Sequence, residues 1–90
     1  MQANQANDSV TAWKSAAATV LDVRPELAQG GEPFVHIMEA AETVPAGASL
    51  VLIAPFEPAP LYAALSGRGF SHATQCVASD EWVVRFTRDQ

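Results

Sequence analysis

Residues Gly30–Val44, GGEPFVHIMEAAETV, decide how the chain folds. Their apolar side chains recur at helical spacing, which predicts a helix with one buried face. Pro33 lies at or near the first helical position, where no backbone N–H is needed, and Pro45-Ala-Gly47 ends the helix. The residues of the apolar face are Phe34, Ile37, Met38, Ala41 and Val44.

Two segments on either side of this helix have strand patterns. Val20–Arg24 (VLDVR) alternates apolar and charged residues and precedes Pro25, so we expect a half-buried strand that ends at the proline. Leu50–Ala54 (LVLIA) is apolar at every position, which indicates an inner strand. A strand, a helix and a second strand predict a parallel pair joined by a right-handed crossover.

The remaining chain predicts one more helix and a hairpin. Prolines lead into a short helix near Pro60–Arg68, and Gly69 can then take the left-handed conformation of a helix cap, with Phe70 packing back on the helix. Ser71–Ala78 and Glu81–Thr87 flank a two-residue turn and should pair as antiparallel strands.

Together the elements predict an α+β fold, a two-layer α/β sandwich in the order β-α-β-α-β-β. We expect a mixed four-stranded sheet with two helices on one face, and we assign Trp82, Val84 and Phe86 of the last strand to the core. Residues 1–18 are expected to be a disordered or loosely attached N-terminal segment, because Met1–Ser9 has few apolar side chains to bury. Residues 19–89 are expected to form a single domain.

Composition and charge limit the classes of partner. The chain has 90 residues, about half of them apolar, and a net charge of −5. Binding to nucleic acid or to an anionic membrane is therefore disfavoured, and we expect another protein as the partner. No apolar run approaches the roughly 20 residues that span a bilayer. The single Cys76 cannot form an internal disulfide, which fits the reducing cytoplasm.

The predicted topology brings two turns together at one edge of the sheet. Helices that follow parallel strands begin at the same edge, so Gly30–Pro33 and Phe56–Pro58 should be neighbours, at the crevice where open α/β sheets bind ligands. Arg24, at the end of the first strand, should lie close to them. The candidate binding residues are Arg24, Gly30, Gly31, Glu32, Pro33, Phe56, Glu57 and Pro58.

Each candidate also has a purely structural interpretation. Gly30-Gly31 can simply form the turn, with Glu32 interacting favourably with the helix dipole. Arg24 can pair with Glu57 or Glu32, or join the helix N-termini in holding an anion. Phe56 either packs on the following helix or is an exposed anchor for a partner.

The segments LDVRPELAQGGEPFVHIMEAAETVPAGASLVLI and APFEPAPLYAALSGRGF resemble a bacterial domain-of-unknown-function family, numbered twenty-two forty-nine. The resemblance covers about Val20–Arg88 and implies kinship with the TusA/SirA-like sulfur carriers. In those carriers the first helix opens with Cys-Pro-x-Pro, whose thiol carries a persulfide. Here Gly30 and Gly31 stand in place of Cys-Pro, while Glu32 and Pro33 follow. The resemblance implies the carrier scaffold without its nucleophile.

Two other residues have reactive or metal-binding side chains. Cys76 is expected to be a buried, inert cysteine, since His72 on the same strand face lies about 13 Å away, too far to activate it. His36 lies on the outward face of its helix with Glu32 and Glu39, where a solvated salt-bridge cluster is favoured over a metal site.

The sequence therefore predicts no catalytic residues, no cofactor and no metal. Our first hypothesis is a non-catalytic protein-binding or regulatory module that uses the Arg24, Glu32, Phe56 and Glu57 edge. The alternative is a sulfur-transfer or redox accessory protein that uses Cys76 as its thiol. A weaker alternative is a metal-binding accessory domain centred on His36. The sequence does not predict the oligomeric state.

Overall fold

The computed structural model describes residues 5–89, which contain four helices and four strands. The elements are α1 (Gln5–Ala16), β1 (Thr19–Asp22), α2 (Arg24–Ala28), α3 (Phe34–Glu42), β2 (Ser49–Ala54), α4 (Ala59–Ser66), β3 (Phe70–Ala78) and β4 (Glu81–Arg88). None of these helices is long and apolar enough to cross a bilayer.

The strands form one mixed sheet in the order β1-β2-β4-β3. β1 pairs with β2 in parallel, β2 with β4 antiparallel, and β4 with β3 antiparallel. All six residues of β2 are buried, because the strand has a neighbour on each side and packed layers on both faces. The α+β fold, the mixed four-stranded sheet and the inner position of LVLIA are thus confirmed.

α3 and α4 cover one face of the sheet and enclose the larger core. Ile37, Met38 and Ala41 are the buried residues of α3, and Leu61 and Leu65 are those of α4. They pack against alternate residues of β2 and β4, because successive side chains of a strand point to opposite faces of the sheet. The buried strand residues on this face are Leu50, Leu52, Ala54, Val84 and Phe86.

α1 covers the opposite face of the sheet, where the sequence predicted no layer. Val10 is 5% exposed and forms a second core with Val51, Ile53 and Val83. The guanidinium of Arg85 lies 4.9 Å from the ring centroid of Trp13, which also packs on this core. The structure therefore has a third layer, where a two-layer arrangement was expected. Of the segment 1–18, residues 1–4 lie outside the described residues.

The first strand is shorter than predicted. β1 ends at Asp22, the buried Val23 precedes α2 as its N-cap residue, and Pro25 lies in the first turn of that helix. A proline fits there because the first backbone N–H groups of a helix have no partner within the helix. Pro25 therefore lies in the first turn of a short helix that the sequence analysis did not predict.

The second half of the chain follows the prediction with small changes. α4 ends at Ser66, Gly69 then adopts φ of 90°, and Phe70 is buried. β3 and β4 form the expected hairpin, with Ala78 opposite Glu81 and a bulge between Cys76 and Ala78. Val84 and Phe86 are fully buried, whereas Trp82 at the end of the hairpin is only half-buried.

Candidate functional site

An open cavity lies where α3 and α4 begin, at the C-terminal end of β2. Its volume is about 310 Å³ and nearly all of its lining side chains are apolar. Residues of both predicted turns line it, which confirms that the two turns are neighbours. We call this cavity the apolar groove; its lining residues are Val23, Leu27, Gly31, Glu32, Pro33, Phe34, Ile37, Leu52, Ala54, Phe56, Pro58, Pro60 and Leu61.

Two aromatic side chains stand at the rim of the apolar groove. Phe34 is 51% exposed and Phe56 is 53% exposed, and the neighbouring Val35 is also exposed. The floor below them consists of buried side chains, among them Ile37 and Leu61. Since Phe56 lines the same cavity as Leu61 yet keeps half of its surface in water, it has an exposed face that a partner can cover.

The two glycines before α3 have structural reasons to be there. Gly30 has φ of 83°, which favours glycine, and its N–H donates to the carbonyl of Leu27. Gly31 lies against α2, where a Cβ atom would come within 2.7 Å of Cγ of Glu26. The Gly31 N–H donates to the Glu26 carbonyl at 2.9 Å. The two glycines therefore allow the chain between α2 and α3 to turn sharply and to pass close to the end of α2.

The predicted binding residues do not all meet at the groove. Gly31, Glu32, Pro33, Phe56 and Pro58 line it. Gly30 precedes the lining residues, and Glu57 lies between two of them.

Arg24 is directed elsewhere. Its guanidinium donates to both carboxylate oxygens of Asp22, at 3.0 and 2.9 Å, and lies 3.8 Å from Glu81. The hydrogen bond from Arg24 lowers the pKa of Asp22, and the same bond raises the pKa of Arg24. Arg24 thus pairs with Asp22, and not with Glu57 or Glu32 as expected. The reason is local, because the Arg24 backbone N–H also binds Asp22 across the β1–α2 turn.

Glu57 takes part in a polar cluster on α4 and β3. The phenol of Tyr62 donates to Oε2 of Glu57 at 3.1 Å and lies 2.7 Å from Oγ1 of Thr74. Since a phenol has one proton to donate, the Thr74 hydroxyl is then the donor to Tyr62. The Tyr62 ring stacks on His72 with centroids 3.9 Å apart. Burial is the largest cause that raises the pKa of Tyr62.

His36 forms an ion pair that the sequence analysis missed. Its Nδ1 lies 3.0 Å from Oε1 of Glu26 on α2. The partners expected from the sequence were Glu32 and Glu39, which are closer to His36 along the chain. The hydrogen bond with Glu26 is the main cause that raises the pKa of His36 above 6.5, with a smaller contribution from Glu39. In residues 5–89 no group of three or more His, Cys, Asp or Glu side chains could hold a metal ion.

Glu26→Gln is expected to lower the pKa of His36 toward its ordinary value, as followed by NMR titration of the imidazole. A histidine whose folded-state pKa is raised stabilises the fold fully below pH 6.5, and that contribution is lost as the pH rises through the raised pKa. Glu39→Gln is the matched control and should change the pKa less. Equal effects of the two variants would show that the pair with Glu26 does not dominate in solution.

Cys76 is exposed, which corrects the expectation of a buried thiol. It lies on β3, an edge strand, beside the bulge, and Sγ donates weakly to the Ala78 carbonyl at 3.4 Å. Tyr62 stacks on His72 and contacts Thr74, which lie earlier on the same strand. The position of Cys76 nearer the end of the edge strand leaves it accessible.

The fold and the groove define a small α+β domain with a mixed four-stranded sheet and an apolar surface cavity. The family model described as "Uncharacterized conserved protein (DUF2249)" matches residues 20–88, and the chain belongs to this family. No curated protein and no solved structure shows significant similarity to the chain. The match confirms the domain-of-unknown-function family indicated by the sequence motifs.

Proposed function

We propose that this chain is a non-catalytic protein-binding or regulatory module, on a scaffold like that of the TusA/SirA-like sulfur carriers, which binds a segment of another protein in the apolar groove. One observation carries the proposal: Phe34 and Phe56 are half exposed at the rim of a cavity with an apolar floor. Exposed apolar surface around a concavity is typical of interaction sites.

The size of the groove suits a few side chains of a bound segment. A volume of about 310 Å³ is at the low end of the roughly 300–1,000 Å³ of small-molecule sites. Truncation of an aromatic anchor in a protein interface can cost about 1 kcal/mol or more of binding free energy. Covering the exposed faces of Phe34 and Phe56 would supply this kind of contact.

The chemistry of the lining favours binding over catalysis. Glu32 is the one titratable residue among those that line the groove, and no lining residue is a Ser, Cys, His or Lys. By the resemblance, Gly30 and Gly31 stand where the carriers have Cys-Pro. The net charge of −5 favours a protein partner over nucleic acid or an anionic membrane.

Peptides selected from a displayed random library against this protein are expected to bind at the groove. In titrations of ¹⁵N-labelled protein, the largest amide shift changes should occur at Phe34, Phe56 and Leu61. The double variant Phe34→Ala/Phe56→Ala should weaken binding at least about 30-fold, because two aromatic contacts of roughly 1 kcal/mol or more are removed.

Val20→Ala is the matched control for these variants. Val20 is another exposed apolar residue, 43% exposed, on β1 and away from the groove. Peptides should bind this variant as they bind the unchanged protein. Selected peptides that bind the double variant equally well, or whose shift changes lie on the α1 face, would contradict the proposal.

The exposed thiol of Cys76 favours a second candidate function, sulfur transfer or redox chemistry. In a relay the Cys76 thiolate would attack the outer sulfur of a desulfurase persulfide, and the desulfurase thiolate would leave. Incubation with a cysteine desulfurase and cysteine, followed by intact-mass measurement, tests this. One added sulfur atom that is absent in Cys76→Ser supports the relay; no addition, where a genuine carrier is loaded, rejects it.

A further inference from the structure

We infer that the segment bound by the apolar groove is basic and amphipathic, with apolar anchors flanked by lysine or arginine. The inference rests on the proposed function and names the chemistry of the partner. It follows from where the acidic and basic side chains lie relative to Phe34 and Phe56.

Most of the charged side chains around the groove are acidic. Glu32 lines the cavity, and no described side chain forms a hydrogen bond or ion pair with it. Glu57 lies between the lining residues Phe56 and Pro58 and is exposed. Glu26 lies against Gly31, another lining residue. The rim therefore carries the carboxylates of Glu32 and Glu26, of which Glu26 is paired with His36. Glu57 is next to the rim in the chain, and its carboxylate accepts a hydrogen bond from Tyr62.

The arginine side chains are engaged away from this rim. Arg24 is bound to Asp22, and Arg68 lies 3.7 Å from Glu42 at the other end of α3. Arg85 lies over Trp13 on the α1 face, and Arg88 binds carbonyls near the end of α3. No described lysine or arginine lines the groove.

A basic amphipathic segment would match both features of this surface. Lysine and arginine stems can pack on the exposed faces of Phe34 and Phe56 while their charged ends approach the carboxylates. Apolar anchors would supply most of the affinity, and the charges would increase the association rate and reject acidic segments. An acidic segment would bring like charges together at the rim.

The test compares two synthetic amphipathic peptides with identical leucine positions, one with lysine and the other with glutamate at all remaining positions. Titrations of the ¹⁵N-labelled protein report both affinity and location. We expect the Leu/Lys peptide to shift the amides of Phe34, Phe56 and Leu61, and to bind at least about tenfold more tightly than the Leu/Glu peptide. Added salt should weaken the Leu/Lys complex.

Matched variants separate local charge from net charge. Glu32→Gln/Glu57→Gln should weaken Leu/Lys binding about three- to tenfold and flatten its salt dependence, while the amide oxygen introduced by Glu57→Gln can still accept from Tyr62. Glu39→Gln removes one charge from the outward face of α3 and should change affinity less than about 1.5-fold. A Glu39→Gln effect as large as that of Glu32→Gln alone would overturn the inference.

The outcomes for the two proposals are distinguishable. If both peptides bind the groove with equal affinity, and Phe34→Ala/Phe56→Ala abolishes both complexes, the charge preference is wrong and the docking function stands. If neither peptide shifts the groove amides and the peptides selected from the library do not either, both proposals fall.

Discussion

Phe86→Ala is expected to lower the free energy of unfolding by about 3–5 kcal/mol, since it removes a large buried ring and leaves a cavity. Phe86 has no exposed surface and lies on β4, which has a paired strand on each side. Its ring centroid is 6.4 Å from that of Tyr62 and 6.2 Å from that of His72. Urea unfolding followed by circular dichroism measures the change.

Phe34→Ala is the matched control, because the same side chain is removed from the groove rim. With half of that ring in water, we expect a loss of about 1 kcal/mol or less. The comparison also separates stability from binding, since Phe34→Ala should weaken peptide binding while the domain stays folded. A loss as large as that of Phe86→Ala would mean that Phe34 belongs to the core and is not a docking residue.

Arg88→Ala is expected to lower the free energy of unfolding by about 2–3 kcal/mol. The Arg88 guanidinium donates to the carbonyls of Val44 at 2.6 Å and Ala41 at 2.9 Å, and it lies 4.7 Å from the Phe70 ring centroid. Hydrogen bonds from charged groups contribute about 1.5–3 kcal/mol. Here one bond goes to the Val44 carbonyl beyond the end of α3, and the other to the Ala41 carbonyl, which also accepts from the Val44 N–H. Denaturant unfolding gives the total effect, and hydrogen exchange of the α3 amides shows where it acts.

Two variants control for the charge of Arg88. Arg88→Lys keeps the charge but cannot donate two hydrogen bonds in the same fork, so we expect less than half of the lost stability to return. Arg68→Ala removes an exposed arginine that lies 3.7 Å from Glu42, and about 0.5 kcal/mol or less should be lost. Equal losses for Arg68→Ala and Arg88→Ala would show that net charge, and not the capping geometry, explains the effect.

Helices and strands whose apolar residues recur at regular spacing could be predicted from the sequence. The helix that covers the second face of the sheet was not predicted, although the sequence contained a reason to expect it. The spacing of Ile37, Met38 and Ala41 predicted α3, because a helix with one core face requires it. Phe34, which was expected on the same buried face, is instead half exposed at the groove, because it lies in the first turn of the helix. Leu50–Ala54 is apolar on both strand faces, and such a strand needs a layer on each side. α1 provides the second layer, but Val10 and Trp13 are too few to make its helical face conspicuous in a polar segment.

The position of the groove was predictable, but its polar contacts were not. Strand direction alone brings Gly31 and Phe56 to the same edge. The Glu26–His36 pair depends on how α2 and α3 are oriented, and the Arg24–Asp22 pair on where β1 turns into α2. No periodic pattern encodes such geometry. Cys76 was assigned to the core because free cysteines are commonly buried, whereas its place on an edge strand exposes it.

α1 lies outside the part of the chain that the family model matches, yet it covers one of the two hydrophobic cores. The family match begins at residue 20 and contains every residue of the apolar groove, but it leaves out α1. A chain without α1 would leave Val51, Ile53 and Val83 facing water on the reverse side of the sheet. Without that helix these three positions would need polar side chains or another covering layer, because a contiguous apolar patch facing water promotes association.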